Sequence, residues 1–200
     1  MEKNTISFYS TLLLAACILF SSCDLSDLVE DTLEENEPQE GDHFVKAIVN
    51  GADFMALVPK GKDIQVDLVE AEHKTSSLGF SLIISAADVV LSSQRGVLIQ
   101  IHLMGPDLTG VQVGTQFETM NEENLIADSF RAFAVISKGH LEEFEEYEAG
   151  TAEQGSINVE ITAYDPEERL VSGNFSFEAY DEAADIIVKV TNGEFKNITW

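Results

Sequence analysis

Apolar residues recur at every second position in run after run of this chain. Ile64, Val66 and Leu68 alternate with Gln65 and Asp67, and Leu78, Phe80, Leu82 and Ile84 repeat the pattern. Val97, Ile99, Ile101 and Leu103 form a third run, with Gln100 and His102 on its other face. Phe130, Ala132, Ala134 and Ile136 form a fourth. Near the C-terminus come Ile157, Val159 and Ile161, then Phe175, Phe177 and Ala179, then Ile186, Val188 and Val190. A period of two gives each strand one dry and one wet face, as in antiparallel sheets with one side packed on a core.

Turn signals separate these runs: Asn50-Gly51, Gly105-Pro106-Asp107, Asp165-Pro166 and Asn192-Gly193. The only stretch that invites a short helix in this region is His140–Ala149, where Leu141, Phe144 and Tyr147 sit among glutamates. The expected fold is therefore all-β, a single antiparallel β-sandwich or barrel-like domain over residues 42–200.

The first 41 residues read differently. Lys3 and the amino terminus precede a mostly apolar run, Ile6 to Phe20, which is shorter than the ~20 apolar residues of a membrane span. It suits a cleavable export signal. Two cysteines compete to end it. Leu14-Ala15-Ala16-Cys17 has small residues before its cysteine, but Ile18-Leu19-Phe20 would then remain on the mature chain. Phe20-Ser21-Ser22-Cys23 also has small residues, and Asp24, Asp27, Glu30 and Asp31 follow it. Cys23 is the preferred lipidation site, with residues 1–22 as the signal peptide. Residues 23–41 then form an acidic tether extended by like-charge repulsion. Within the tether, Leu25, Val29 and Leu33 have the spacing of a short helix, and Asp31-Thr32-Leu33 resembles a three-residue O-glycosylation acceptor. With Cys17 removed and Cys23 acylated, the mature fold holds no thiol for a disulfide, a metal or a nucleophile.

Charge narrows the partners. The formal net charge of −25 repels nucleic-acid phosphates and anionic head groups, so no nucleic-acid partner is expected. Membrane contact falls to the lipid rather than to the protein body.

The C-terminal third carries a resemblance. Gly155-Ser156-Ile157-Asn158-Val159 is followed by Val171-Ser172-Gly173-Asn174-Phe175-Ser176-Phe177-Glu178-Ala179, then by Val190-Thr191-Asn192-Gly193-Glu194-Phe195. This series resembles a family of bacteroidete-type lipoproteins of unknown function, whose β domain reads Gly-Thr-Phe-x-Phe and then Thr-Asn-Gly-x-Phe. Asn174 stands where that family usually has threonine. Ala47-x-Val49-Asn50-Gly51-x-Asp53-Phe54 resembles the family's opening hairpin, and Val97–Gly114 its middle strands. The resemblance implies a β domain on a lipid tether and implies no activity. Phe175 and Phe177 are expected in the core, Gly173 at the start of a strand, and Asn192-Gly193 in a turn.

Catalytic spacing is absent from the sequence. His43, His73, His102 and His140 show neither His-x-His nor His-Glu-x-x-His spacing, and there is no Gly-x-Ser-x-Gly elbow. Carboxylates crowd three stretches: Glu142 to Glu148, Glu118 to Glu123, and Asp165 to Glu168. They raise the alternative of a carboxylate-based glycan hydrolase, which needs two acids across a cleft. They also suit calcium, although no Asp-x-Asp-x-Asp-Gly loop is present. Otherwise no cofactor is expected.

The expected function is a lipid-anchored, exported, non-enzymatic binding or structural module. Its place is the outer membrane or cell surface, or the periplasmic face. A glycan or protein is its partner, with Tyr147, Tyr164 and Tyr180 as candidate stacking surfaces. A further alternative is a subunit of a surface adhesin or fibre, which an open edge strand would favour.

Overall fold

In a computed structural model the described residues are 43–57, 68–77, 79–90, 95–120, 129–140, 143–152 and 154–200. Cys17, Cys23, the tether and the run Ile64–Asp67 lie outside them. Eleven strands follow in order: β1 (Phe44–Val49), β2 (Ala52–Leu57), β3 (Val69–Ser76), β4 (Gly79–Val90), β5 (Arg95–Gly105), β6 (Gln116–Thr119), β7 (Arg131–His140), β8 (Glu143–Gly150), β9 (Ser156–Asp165), β10 (Leu170–Asp181) and β11 (Ile186–Thr199). A 3-10 turn, Leu108–Gly110, sits between β5 and β6.

All the strands belong to one sheet, folded on itself into two facing layers. One layer runs β2-β1-β11-β10-β9-β6, and the other runs β7-β5-β4-β3, with β8 pairing both β7 and, through Tyr180 and Gly150, β10. The dry faces meet between them. Val45, Phe54, Phe117, Val159, Ile161, Phe175, Phe177, Val190 and Phe195 come from the first layer, and Leu82, Ile84, Ile99, Ile101, Leu103 and Ile136 from the second. The alternation in the sequence is thus the core itself.

Polar side chains tie neighbouring strands together around the seam. The Thr119 hydroxyl donates to the Ile157 carbonyl at 3.0 Å and accepts from the Ile157 N–H at 2.8 Å, acting as an extra link between β6 and β9. Buried Thr151 does the same for β7, accepting from the Ala134 N–H at 2.9 Å while its own N–H donates to the Ala134 carbonyl at 3.0 Å. Asp181 accepts from Glu148 N–H on β8 at 3.1 Å and from Ala183 and Ala184 at the β10–β11 turn. Each satisfies backbone donors that the fold withdraws from water.

Four expectations need correction: Gly173, expected at the start of a strand, lies three residues inside β10, and the other three concern pairing, a helix and a turn. The sheet is mixed, because β6 and β7 run parallel, pairing Glu118 with Arg131 and Thr119 with Ala132. The glutamate-rich stretch from residue 143 is strand β8 and not a helix. Its exposed Glu146 and Glu148 alternate with half-buried Tyr147 and buried Ala149, and its backbone pairs with β7, so tertiary pairing overrides the helix propensity of glutamate. Asn192-Gly193 makes no turn. Asn192 has a positive φ of 52° inside β11, at a β-bulge opposite Phe175–Phe177. By contrast, Asn50 (φ 49°) and Gly51 (φ 85°) do form the expected two-residue hairpin, which both central positions reach only with left-handed backbone.

Among the described residues two strands pair on one side only, β2 and β3. The outward N–H of Met55 on β2 is capped by the Asp88 carboxylate of β4 at 3.2 Å. Burial pushes the Asp88 carboxyl above its ordinary value, and the Met55 bond opposes that only in part. A raised carboxyl favours the fold below its unfolded value and loses that favour as pH rises through the folded value. Asp88→Asn keeps an acceptor without the charge. It is expected to melt higher than the native chain at pH 7 and equally at pH 3, whereas Asp88→Ala strands the Met55 donor and melts lower at both. Thermal melts at the two pH values check this.

Candidate functional site

The outer faces of the two layers differ. On the first, Ser156, Asn158, Glu160, Asn174, Ser176, Glu178, Lys189, Thr191 and Asn192 are all exposed. On the second, Ile83, Leu98, His102, Met104, Phe133 and Val135 are half-buried. The wet face of the first layer holds the candidate site, a shallow groove of about 430 Å³ across β9, β10 and β11.

Each of the three strands supplies one asparagine to it: Asn158, Asn174 and Asn192. Register places Asn174 directly between Glu160 and Glu194, and Ser176 beside Asn158. The bulge in β11 turns Asn192 and Gly193 into the floor. Gly193 is required there, because a Cβ would stand 2.5 Å from the Phe175 ring beneath it. Glu194 is tied to Lys46 of β1 at 2.8 Å. The side chains of Asn158, Asn174, Ser176 and Asn192 make no hydrogen bond to the rest of the described protein. They present amide and hydroxyl groups that both donate and accept.

The residues singled out from sequence are scattered. His43 precedes β1, His73 is on edge strand β3, His140 ends β7, and His102 lies in mid-β5. His102 stacks on Phe133 with ring centroids 4.0 Å apart, and burial together with the Lys74 charge lowers its pKa to about 4. Among the described residues no three His, Cys, Asp or Glu side chains converge as a metal site would require. The acidic stretches do local work. Glu146 binds Arg95 at 2.6 Å and Lys138 at 3.1 Å, and hydrogen bonding to Lys138 holds its carboxyl below the usual range. Glu118 pairs with Arg131, and Asp165 accepts from the Glu167 and Glu168 N–H groups in its turn. Glu122 and Glu123 lie outside the described residues.

The tyrosines are engaged. Tyr164 stacks on Trp200 at 5.7 Å and donates to the Leu108 carbonyl, Tyr180 donates to Asp185 at 2.9 Å, and Tyr147 packs against the core. Reasoning from sequence alone passed over the asparagines. The signal available was that Asn158 and Asn174 fall at wet positions of two regular C-terminal runs, whereas Asn192 is in phase with the dry residues Val188 and Val190 and is turned outward only by the bulge in β11.

Compared with protein-family models, with curated proteins and with solved structures, the chain matches none.

Proposed function

We propose that this chain is a lipid-anchored, exported binding module without enzymatic activity, held through Cys23 at the outer membrane or cell surface, and that the β9–β10–β11 groove is its binding surface. One observation carries the binding half: three neighbouring strands deliver unpaired amides to one depression. Amides that donate and accept match the hydroxyls of a neutral glycan or the backbone of a peptide. Anionic ligands meet Glu160 and Glu194 and the chain's net charge of −25. The lipobox and acidic tether motivate the anchoring half, as does the resemblance to bacteroidete-type lipoproteins.

A carboxylate-based hydrolase has one observation in its favour, since Glu160 and Glu194 flank Asn174 in the same groove. Its general acid must be kept protonated by a desolvated setting. Glu160 is exposed, however, and Glu194 is neutralised by Lys46. The binding reading is therefore preferred.

Cell fractionation with mass spectrometry of the mature chain tests the anchor. The native protein is expected in the membrane fraction, beginning at an acylated Cys23, and Cys23→Ala in the soluble fraction with an unchanged melting temperature. A mature chain beginning at Cys17 overturns the assignment. Glycan or ester turnover by the purified chain, abolished by Glu160→Gln with Glu194→Gln, overturns the non-enzymatic reading.

A further inference from the structure

The two edges of the sheet are finished differently. On β2 the Asp88 carboxylate occupies the Met55 donor. On β3 the direction of the free groups follows from the hairpin with β4. The Ala87 N–H donates to the Leu68 carbonyl at 2.8 Å, so residues 68, 70, 72, 74 and 76 bond to β4. The N–H and C=O groups of Ala71, His73 and Thr75 therefore point away from it. Among the described residues none of these groups has a backbone partner, and Glu72, Lys74, Thr75 and Ser76 are exposed. An open, extended row of donors and acceptors is a template for another strand.

Side-chain charge selects which strand fits. Antiparallel pairing of β3 with a second β3, centred on His73, sets Ala71 opposite Thr75 and His73 opposite itself. Each of these pairs exchanges both its backbone bonds. On the solvent face the same register sets Glu72 of each copy directly opposite Lys74 of the other. Within one chain the two already attract, with Lys74 Nζ 2.9 Å from Glu72. Pairing two copies turns that contact into a reciprocal quartet of alternating sign, and directly opposed opposite charges favour a strand pair. An acidic strand from another protein would meet Glu70 and Glu72 as well as Lys74, whereas a second copy is self-complementary, as a two-fold interface must be.

We infer that β3 is a homodimerisation edge, through which the second layer of one copy continues into that of another. This goes beyond the binding function and is independent of the groove. Repulsion between two chains of charge −25 opposes association, so the pairing is concentration-dependent and is best read at physiological salt, where screening acts within ~8 Å.

Sedimentation equilibrium of the full mature chain across a concentration series provides the test. The native chain is expected to dimerise. Glu72→Lys places like charges opposite each other and is expected to weaken the dimer at least tenfold. Glu72→Lys combined with Lys74→Glu restores the alternation and is expected to return dimerisation to the native level. His73→Pro removes one outward donor without touching a β4 bond, and is expected to give a monomer that melts within a few degrees of the native monomer. A native chain that stays monomeric up to about 1 mM overturns the inference. So does a dimer that is indifferent to both Glu72→Lys and His73→Pro.

Discussion

Replacing Gly173 with alanine should cost the domain about 3 kcal/mol or more, lowering its melting temperature by roughly 10 °C, and replacing it with valine should prevent folding. Gly173 lies inside β10, three residues after its start, facing the core rather than opening the strand. A Cβ there would overlap the end of the Phe195 ring and stand 2.6 Å from the Glu160 carbonyl oxygen. The ring is fully buried and the carbonyl belongs to the neighbouring strand, so neither obstacle can move aside cheaply. Overpacking of this kind consumes a large share of a stability that rarely exceeds ~15 kcal/mol. Phe195→Ala alone should cost about 3–5 kcal/mol through the cavity it leaves. In the double variant the new methyl group enters part of that cavity, so the two losses should fall short of their sum. Chemical denaturation of the four chains checks this. Strict additivity would mean that the ring is not what excludes a side chain at Gly173.

Acid should destabilise the fold through His102 well before the carboxylates titrate. Its ring stacks on Phe133, and Ile83 of β4 and Phe133 of β7 flank it in register, with Lys74 as the nearby charge. Burial and Lys74 bring its folded pKa to about 4 against 6.5 for an ordinary histidine. The fold therefore prefers the neutral ring. This contribution is complete above pH 6.5, shrinks as pH falls below that, and is fully lost below pH 4, a total of about 3 kcal/mol. His102→Gln cannot take up the proton. Its stability relative to the native chain should rise steadily between pH 6.5 and 4, whatever constant offset the lost stacking imposes. Urea titrations at intervals of half a pH unit read the difference. Parallel curves would place His102 in an environment no drier than water.

The period of two was enough to place β4, β5, β7, β9, β10 and β11, because each of these strands has one face in the core and one outside. The helix expected over His140–Ala149 failed for the opposite reason. Residues such as Glu146 and Glu148 carry a helical preference of their own, and only the neighbouring β7 makes the segment a strand. The parallel β6–β7 pair was equally hidden, since Gln116–Thr119 is too short to show a pattern and alternation along one strand says nothing of the direction in which its partner runs. Asn192-Gly193 signals a turn in the sequence and forms a bulge in the fold, because a bulge and a turn ask for the same residue types. The groove was illegible as a site. Asparagines at wet strand positions carry no signal until register sets Asn158, Asn174 and Asn192 on adjacent strands.

The pairing of β1 with β11 has a consequence for how the molecule comes into being. Phe44 meets Lys196 and Val49 meets Val190, so the earliest described strand is clasped by the latest. Of its two partners, β2 is available at once, but a lone hairpin is marginal in water. The remainder of its hydrogen bonds wait until about 140 further residues have been made. Contacts this distant in sequence slow folding. They also mean that a chain emerging N-terminus first cannot lock its leading end before its last strand is made.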